Sequence, residues 1–103
     1  MYKLIALFTK PDNVEEFDKH YDEIHAPLMK KVPGLEKLVV SRNLRAFGGE
    51  APYYLIAEMH FADKDAFKAA MASEENKAAG KDVMGFAGKL VSMVHGEFSE
   101  SEG

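Results

Sequence analysis

The chain has 103 residues, of which 47% are hydrophobic and 29% charged, with a net charge of −4 and no cysteine. That length holds one domain with a thin core margin. The acidic balance excludes the basic stripe of a nucleic-acid surface, and no stretch nears the roughly 20 apolar residues of a membrane span. The missing thiols exclude disulfides, thiolate metal sites and a cysteine nucleophile, which fits a cytoplasmic location.

Residues 2–9 predict a first strand, apolar on both faces. Met1 to Phe8 is as long as a short signal core, but no small-residue cleavage site follows, and Lys10-Pro11-Asp12 is a turn. Pro11-Asp12-Asn13 supplies a turn and a helix cap, after which Val14, Phe17, Tyr21, Ile24 and Leu28 recur at helical spacing. Lys30 and Lys31 suit the negative end of that helix, and Val32-Pro33-Gly34 ends it. Leu35 to Phe47 predicts a second strand with Leu38, Val40, Arg42 and Leu44 on one face. A loop, Gly48-Gly49-Glu50-Ala51-Pro52, leads to a third strand, Tyr53 to Phe61. Asp63 caps a helix from Lys64 to Ala72 whose inward residues are Ala66, Phe67, Ala70 and Met71. A further helical stretch starts at Ser73 and runs to about Ala87, weakened by Gly80 and Gly85. Gly88 to Phe98 is the last strand, which makes residues 1–98 one domain and 99–103 a mobile polar tail.

The order strand–helix–strand, strand–helix–strand predicts an α+β, ferredoxin-like βαββαβ fold: a four-stranded antiparallel sheet with its helices on one face. The first and third strands, the most apolar, take the central places. Such a sheet should be polar on its open face. Here Ile5 and Leu7 oppose Leu4, Ala6 and Phe8, and Ile56 stands with Tyr54, Glu58 and His60 opposite Leu55, Ala57, Met59 and Phe61. Apolar surface on both faces implies a cover, and a second copy of the chain, sheet against sheet, is the simplest one.

The first helix carries the unusual chemistry: Lys19-His20-Tyr21-Asp22-Glu23-Ile24-His25-Ala26-Pro27-Leu28. Pro27 leaves the carbonyl of Glu23 without its usual partner and opens the turn around His25. The segment Phe17-x-x-x-Tyr21-x-x-x-His25-x-Pro27-Leu28, followed by Val32-Pro33-Gly34, resembles the EthD family of the dimeric α/β-barrel superfamily. That family is named for a protein of bacterial ethyl tert-butyl ether degradation. The resemblance implies a homodimer, a small-molecule pocket between the sheet and the helices of each subunit, and His25 as the family's helix histidine. Fold alone does not set the chemistry, since related barrels include cyclases, isomerases, monooxygenases and haem-handling enzymes.

Tyr21 and His25 are four residues apart and share a helix face, so they are the catalytic candidates: His25 as general acid or base, Tyr21 positioning a substrate oxygen. The alternative is that Tyr21 is core and His25 makes a structural hydrogen bond. Asp22 either orients His25 or is a solvated helix charge. His20 lies about 140° around the helix from His25, too far to share a metal, and Glu16 is its expected surface partner. Glu58 and His60, on one side of a central strand, are candidates for substrate binding or a dimer contact. Arg42 either binds an anionic or enolate oxygen or guards a sheet edge. His95 and Glu97 fit an edge pairing. No metal site and no nucleotide loop are expected: there is no His-x-x-x-His, and Gly48-Gly49 lacks the context of a phosphate loop.

The leading expectation is an EthD-like enzyme without a cofactor. It would act by proton transfer at His25 on a small hydrophobic carbonyl or phenolic compound, in an oxygenation, cyclisation or isomerisation. The alternatives are a dimeric binding or accessory protein for a hydrophobic metabolite, and a barrel of purely structural purpose.

Overall fold

The computed structural model describes residues 1–101. Its elements are β1 (Tyr2–Phe8), α1 (Val14–His20), a π-helical turn (Tyr21–His25), α2 (Ala26–Met29), β2 (Lys37–Arg42), β3 (Leu55–Phe61), α3 (Lys64–Met71), α4 (Glu74–Ala87) and β4 (Val91–Glu97). All pairings are antiparallel and the strand order is β2-β3-β1-β4, so β1 and β3 are central and β2 and β4 are edges. This is the ferredoxin-like α+β arrangement. Of the tail expected over 99–103, residues 102 and 103 lie outside the described residues.

Period-two alternation sorts the sheet into two faces. In β3, Leu55, Ala57, Met59 and Phe61 are buried while Ile56, Glu58 and His60 are half-buried. Register carries that division across: Leu4 and Ala6 of β1 stand opposite Met59 and Ala57, and also opposite His95 and Met93 of β4. The helices pack on this face, where Phe8, Phe61, Leu55 and Tyr21 are essentially fully buried. Each such side chain contributes on the order of 1.5–3 kcal/mol by leaving water.

The helix starts are set by side-chain caps. The Asn13 side chain accepts from the Glu16 N–H at 3.0 Å, Asp63 from Ala66 at 2.8 Å and Ser73 from Asn76 at 3.1 Å. With Ser73 capping it, the glycine-weakened stretch is a full helix from Glu74 to Ala87, buried along Ala79, Val83 and Ala87. Tertiary contact outweighs the propensity cost of Gly80 and Gly85.

The second strand is shorter than the Leu35–Phe47 span expected. It ends at Arg42, whose partner Leu55 begins β3, and Asn43 turns the chain with φ +54°. Asparagine tolerates that left-handed backbone. Leu44 is therefore a loop residue. The third and fourth strands also start later than expected, at Leu55 and Val91. Before β4, the Leu90 N–H bonds Ala87 O at 2.9 Å and holds the chain in a turn.

Pro27 acts one turn upstream of itself. It has no N–H to give Glu23, and the chain answers with a wide turn in which the Ala26 N–H reaches Tyr21 O, five residues back. Tyr21 and His25 bracket this turn, and both are buried. The backbone irregularity thus sits directly beneath the two most unusual side chains of the helix.

Candidate active site

A cavity of about 370 Å³ lies between the sheet and the helices. Its walls are almost wholly apolar, with four methionines, Met29, Met59, Met71 and Met93, drawn from four different elements. The polar side chains on the wall are Tyr21, His25, Asn76 and His95.

His25 is 4% exposed and is the buried polar residue of the core. Its Nδ1 is 3.0 Å from Asp82 Oδ2. A carboxylate only accepts, so Nδ1 carries the hydrogen and Nε2 holds the lone pair. Nε2 makes no hydrogen bond among the described residues. Burial lowers the proton affinity of His25 below the ordinary histidine value; the Asp82 carboxylate opposes this and His20 reinforces it. The ring is a neutral base in an apolar hollow, oriented by a carboxylate.

Tyr21 is 1% exposed, and its hydroxyl has no hydrogen-bond partner among the described residues. Its ring lies 5.5 Å from that of His25, edge-on to Phe8 and stacked on Phe17. Burial pushes the phenol pKa well up, so the hydroxyl keeps its proton and serves as a neutral donor. A buried, unpaired O–H on a residue that lines a cavity is a costly feature in a plain core, since such a group forfeits about 1–3 kcal/mol.

The other expected site residues are elsewhere. Arg42 does not border the cavity. Its guanidinium forms a two-pronged pair with Asp22, with Nη1 to Oδ2 at 3.2 Å, and lies 5.6 Å from the outer side of the Tyr21 ring. That bond to Asp22 raises the Arg42 pKa further, so the charge is permanent. Asp22 is thereby spent on β2 and does not orient His25. Glu58 and His60 stand on the opposite face of the sheet. There Lys3 Nζ meets Glu58 Oε1 at 2.8 Å and His60 Nε2 lies 3.3 Å from the same oxygen. The lysine holds the Glu58 carboxyl below the usual carboxylate range. The sheet separates this cluster from the cavity, so one ligand cannot touch both. The expected Glu16–His20 pair does not form: α4 crosses α1 and brings Asp82 Oδ1 within 2.8 Å of His20 Nε2.

Two residues of consequence were missed. Asp82 sits 57 residues from His25, on the flank of the buried stripe Ala79, Val83 and Ala87 of α4. His95, whose place on an edge strand suits edge pairing, borders the cavity, bonded through Nδ1 to the Tyr2 hydroxyl at 2.6 Å and stacked on Phe67. Aligning Leu4 with His95 in the register would have placed it on the cavity side.

Residues 13–90 match the family model of the EthD domain. The chain belongs to the EthD family. An EthD family protein from Bacillus halodurans C-125, solved by crystallography, is 44% identical over 96% of this chain and 99% of its own, with a TM-score of 0.90. An uncharacterised 11.0 kDa protein of Rhodococcus erythropolis is 29% identical over 91% of both chains. SnoaB from Streptomyces nogalater, a cofactor-independent oxygenase, shares the fold of this EthD domain: 19% identity over 99% of this chain and 94% of its own, TM-score 0.63. Other solved structures of this fold are dimeric ferredoxin-like proteins. No helix among the described residues is long and apolar enough to cross a membrane.

Proposed function

We propose that this EthD domain is a small-molecule enzyme whose own side chains move a proton on a small, apolar carbonyl or phenolic compound. What carries the reading is one juxtaposition: buried His25, whose Nε2 is unpaired, and Tyr21, whose hydroxyl is unpartnered, both line one apolar cavity. Nε2 takes the proton from an activated C–H or O–H. The Tyr21 O–H donates to the oxygen on which the negative charge gathers. The resulting carbanion or phenolate is the common branch point of oxygenation, cyclisation and isomerisation. A cofactor-independent oxygenase on the same fold supports a chemistry of this economy.

The proposal includes a homodimer that closes the open sheet face, in a cytoplasmic setting. Ile5, Leu7, Ile56, Val39 and Val94 stand on that face, and Val94 is 52% exposed in the single chain. Face-to-face packing of two sheets would bury them in the manner of a dimeric α/β barrel. Ile56→Glu is expected to convert a dimer to a monomer in light scattering behind size exclusion. A wild-type monomer at micromolar concentration would remove this part of the proposal.

The activity is tested with 2-tetralone, an apolar ketone with acidic α-hydrogens, by following α-hydrogen exchange in D₂O by NMR. Wild-type protein is expected to accelerate exchange, and His25→Asn to abolish it while leaving thermal stability nearly intact. The methionine-rich wall favours a second reading, a sequestering protein for an apolar metabolite, because methionine adapts to varied shapes. Saturable binding of 2-naphthol, with exchange that is absent or indifferent to His25→Asn, would decide for it.

A further inference from the structure

Asp82 is shared between two imidazoles. Its Oδ1 meets His20 Nε2 at 2.8 Å and its Oδ2 meets His25 Nδ1 at 3.0 Å. The three side chains form a gradient of exposure: 30% for His20, 16% for Asp82, 5% for His25. His20 borders a shallow groove on the outer side of α4 together with Lys81 and Phe86, whereas His25 borders the cavity inside. Phe86 stacks on the His20 ring at 4.2 Å and lies 5.3 Å from the tilted His25 ring, so one aromatic side chain packs against both.

The carboxylate can accept from both rings at once but carries a single negative charge. It therefore fixes both tautomers, with hydrogen on Nε2 of His20 and on Nδ1 of His25. It cannot fully neutralise two cations together. Positive charge on His20 and positive charge on His25 would therefore compete for the same carboxylate.

We infer that Asp82 and His20 are positioning residues for His25: Asp82 locks its lone pair toward the cavity, and His20 sets, from the solvent side, how readily that lone pair takes a proton. The inference rests on the proposed function only in treating Nε2 of His25 as the working atom. The other groups around this set are few. On the cavity side His25 faces Tyr21 and, from β4, His95 on the same wall, while Arg42 of β2 lies beyond the Tyr21 ring. On the outer side Lys81 of α4 borders the groove beside His20, and Asp12 and Glu16, at the start of α1, share with His20 the lining of a neighbouring pocket. The opposed influences on His25, with Asp82 favouring its charged form and His20 disfavouring it, agree with this assignment.

The test uses the whole, ligand-free chain and reads the ring nitrogens by long-range ¹H–¹⁵N NMR across pH 4.5–8.5. Wild-type His25 is expected as a single tautomer with hydrogen on Nδ1. His20→Gln keeps a donor for Asp82 and cannot become charged. It should leave that tautomer in place and raise the proton affinity of His25 about three- to tenfold. Asp82→Asn should lower the affinity at least about tenfold and let the second tautomer appear, and Asp82→Glu should restore the single tautomer. A His25 midpoint within about twofold of wild type in His20→Gln would overturn the role of His20. Hydrogen on Nε2 of His25 in the wild-type chain would overturn the whole arrangement without any variant having to fold. None of these readouts depends on turnover. Failure of 2-tetralone exchange with an intact titration pattern therefore removes the proposed function and leaves this inference standing.

Discussion

Replacing Tyr21 by phenylalanine removes one oxygen atom from the most enclosed part of the molecule. For most buried tyrosines that costs a hydrogen bond. Here the hydroxyl has no partner among the described residues, and the ring is held by its faces and edges: Phe8 at 6.0 Å, Phe17 at 6.1 Å, His25 at 5.5 Å and the Arg42 guanidinium at 5.6 Å. Phenylalanine keeps each of these contacts. A buried unpaired hydroxyl forfeits about 1–3 kcal/mol of hydration, so its removal is expected to leave stability unchanged or to raise it by up to about 1 kcal/mol. In a domain of this size that is a rise in Tm of roughly 4–8 °C at most. Tyr21→Ala, which also discards the ring, should cost about 3–5 kcal/mol. Urea and thermal unfolding of the three proteins give the comparison. Binding of 2-naphthol supplies the other half. A ligand oxygen that completes the orphan hydroxyl should lose about 0.5–1.5 kcal/mol of affinity in Tyr21→Phe, a factor of roughly 2–10. A Tyr21→Phe protein destabilised by more than about 1 kcal/mol would refute the reasoning, because the hydroxyl would then hold the fold together and have nothing to offer a ligand.

Three further outcomes follow from named contacts. His25 is held below its unfolded value of 6.5, so the unfolded chain takes up that proton first as pH falls. Stability should decline from about pH 6.5 down to the lowered folded value and level off below it; chemical unfolding of His25→Asn over the same range should show a shallower slope. A methyl group on Gly88 would meet Met84 O at 2.6 Å, whereas one on Gly85 meets nothing within 4 Å. Gly88→Ala should therefore lose about 1–3 kcal/mol and Gly85→Ala gain about 0.5–1 kcal/mol in urea unfolding. Arg42→Ala breaks a solvent-facing pair with Asp22 and removes no residue that lines the cavity. It should cost no more than about 1 kcal/mol and leave 2-naphthol binding within twofold, as read by titration.

What the sequence discloses and what it withholds divide along sequence separation. Strand order was legible because the first and third strands of a βαββαβ order take the centre of the sheet, and β1 and β3 are the most apolar of the four. Helix starts were legible because Asn13, Asp63 and Ser73 cap within three residues of themselves. The His25 neighbourhood was legible because Tyr21 is one turn away and Pro27 two residues away on the same chain. The end of β2 was not, since Arg42 stops pairing only where β3 happens to begin. Asp82 was not legible either. Nothing within several residues of it marks it as the partner of a histidine 57 positions earlier, and two glycines weaken the helical signal of its stretch.

That same separation bears on what the site is. A histidine kept only to fill a core can be satisfied by the nearest carbonyl, one turn back in its own helix. His25 instead draws its partner from α4, and the partner is charged, shared with a second histidine and bound through the nitrogen that faces away from the cavity. The groups around the cavity come from β1, the π-helical turn, α2, β3, α3, α4 and β4, which meet only when the fold is complete. Holding an unpaired base and an unpaired hydroxyl in an apolar hollow costs stability that a small domain can ill spare. Placing both on a turn that is itself irregular compounds the cost. A fold built for stability alone would gain by losing the Tyr21 hydroxyl, and that cost is the physical ground for the proposal that a ligand uses it.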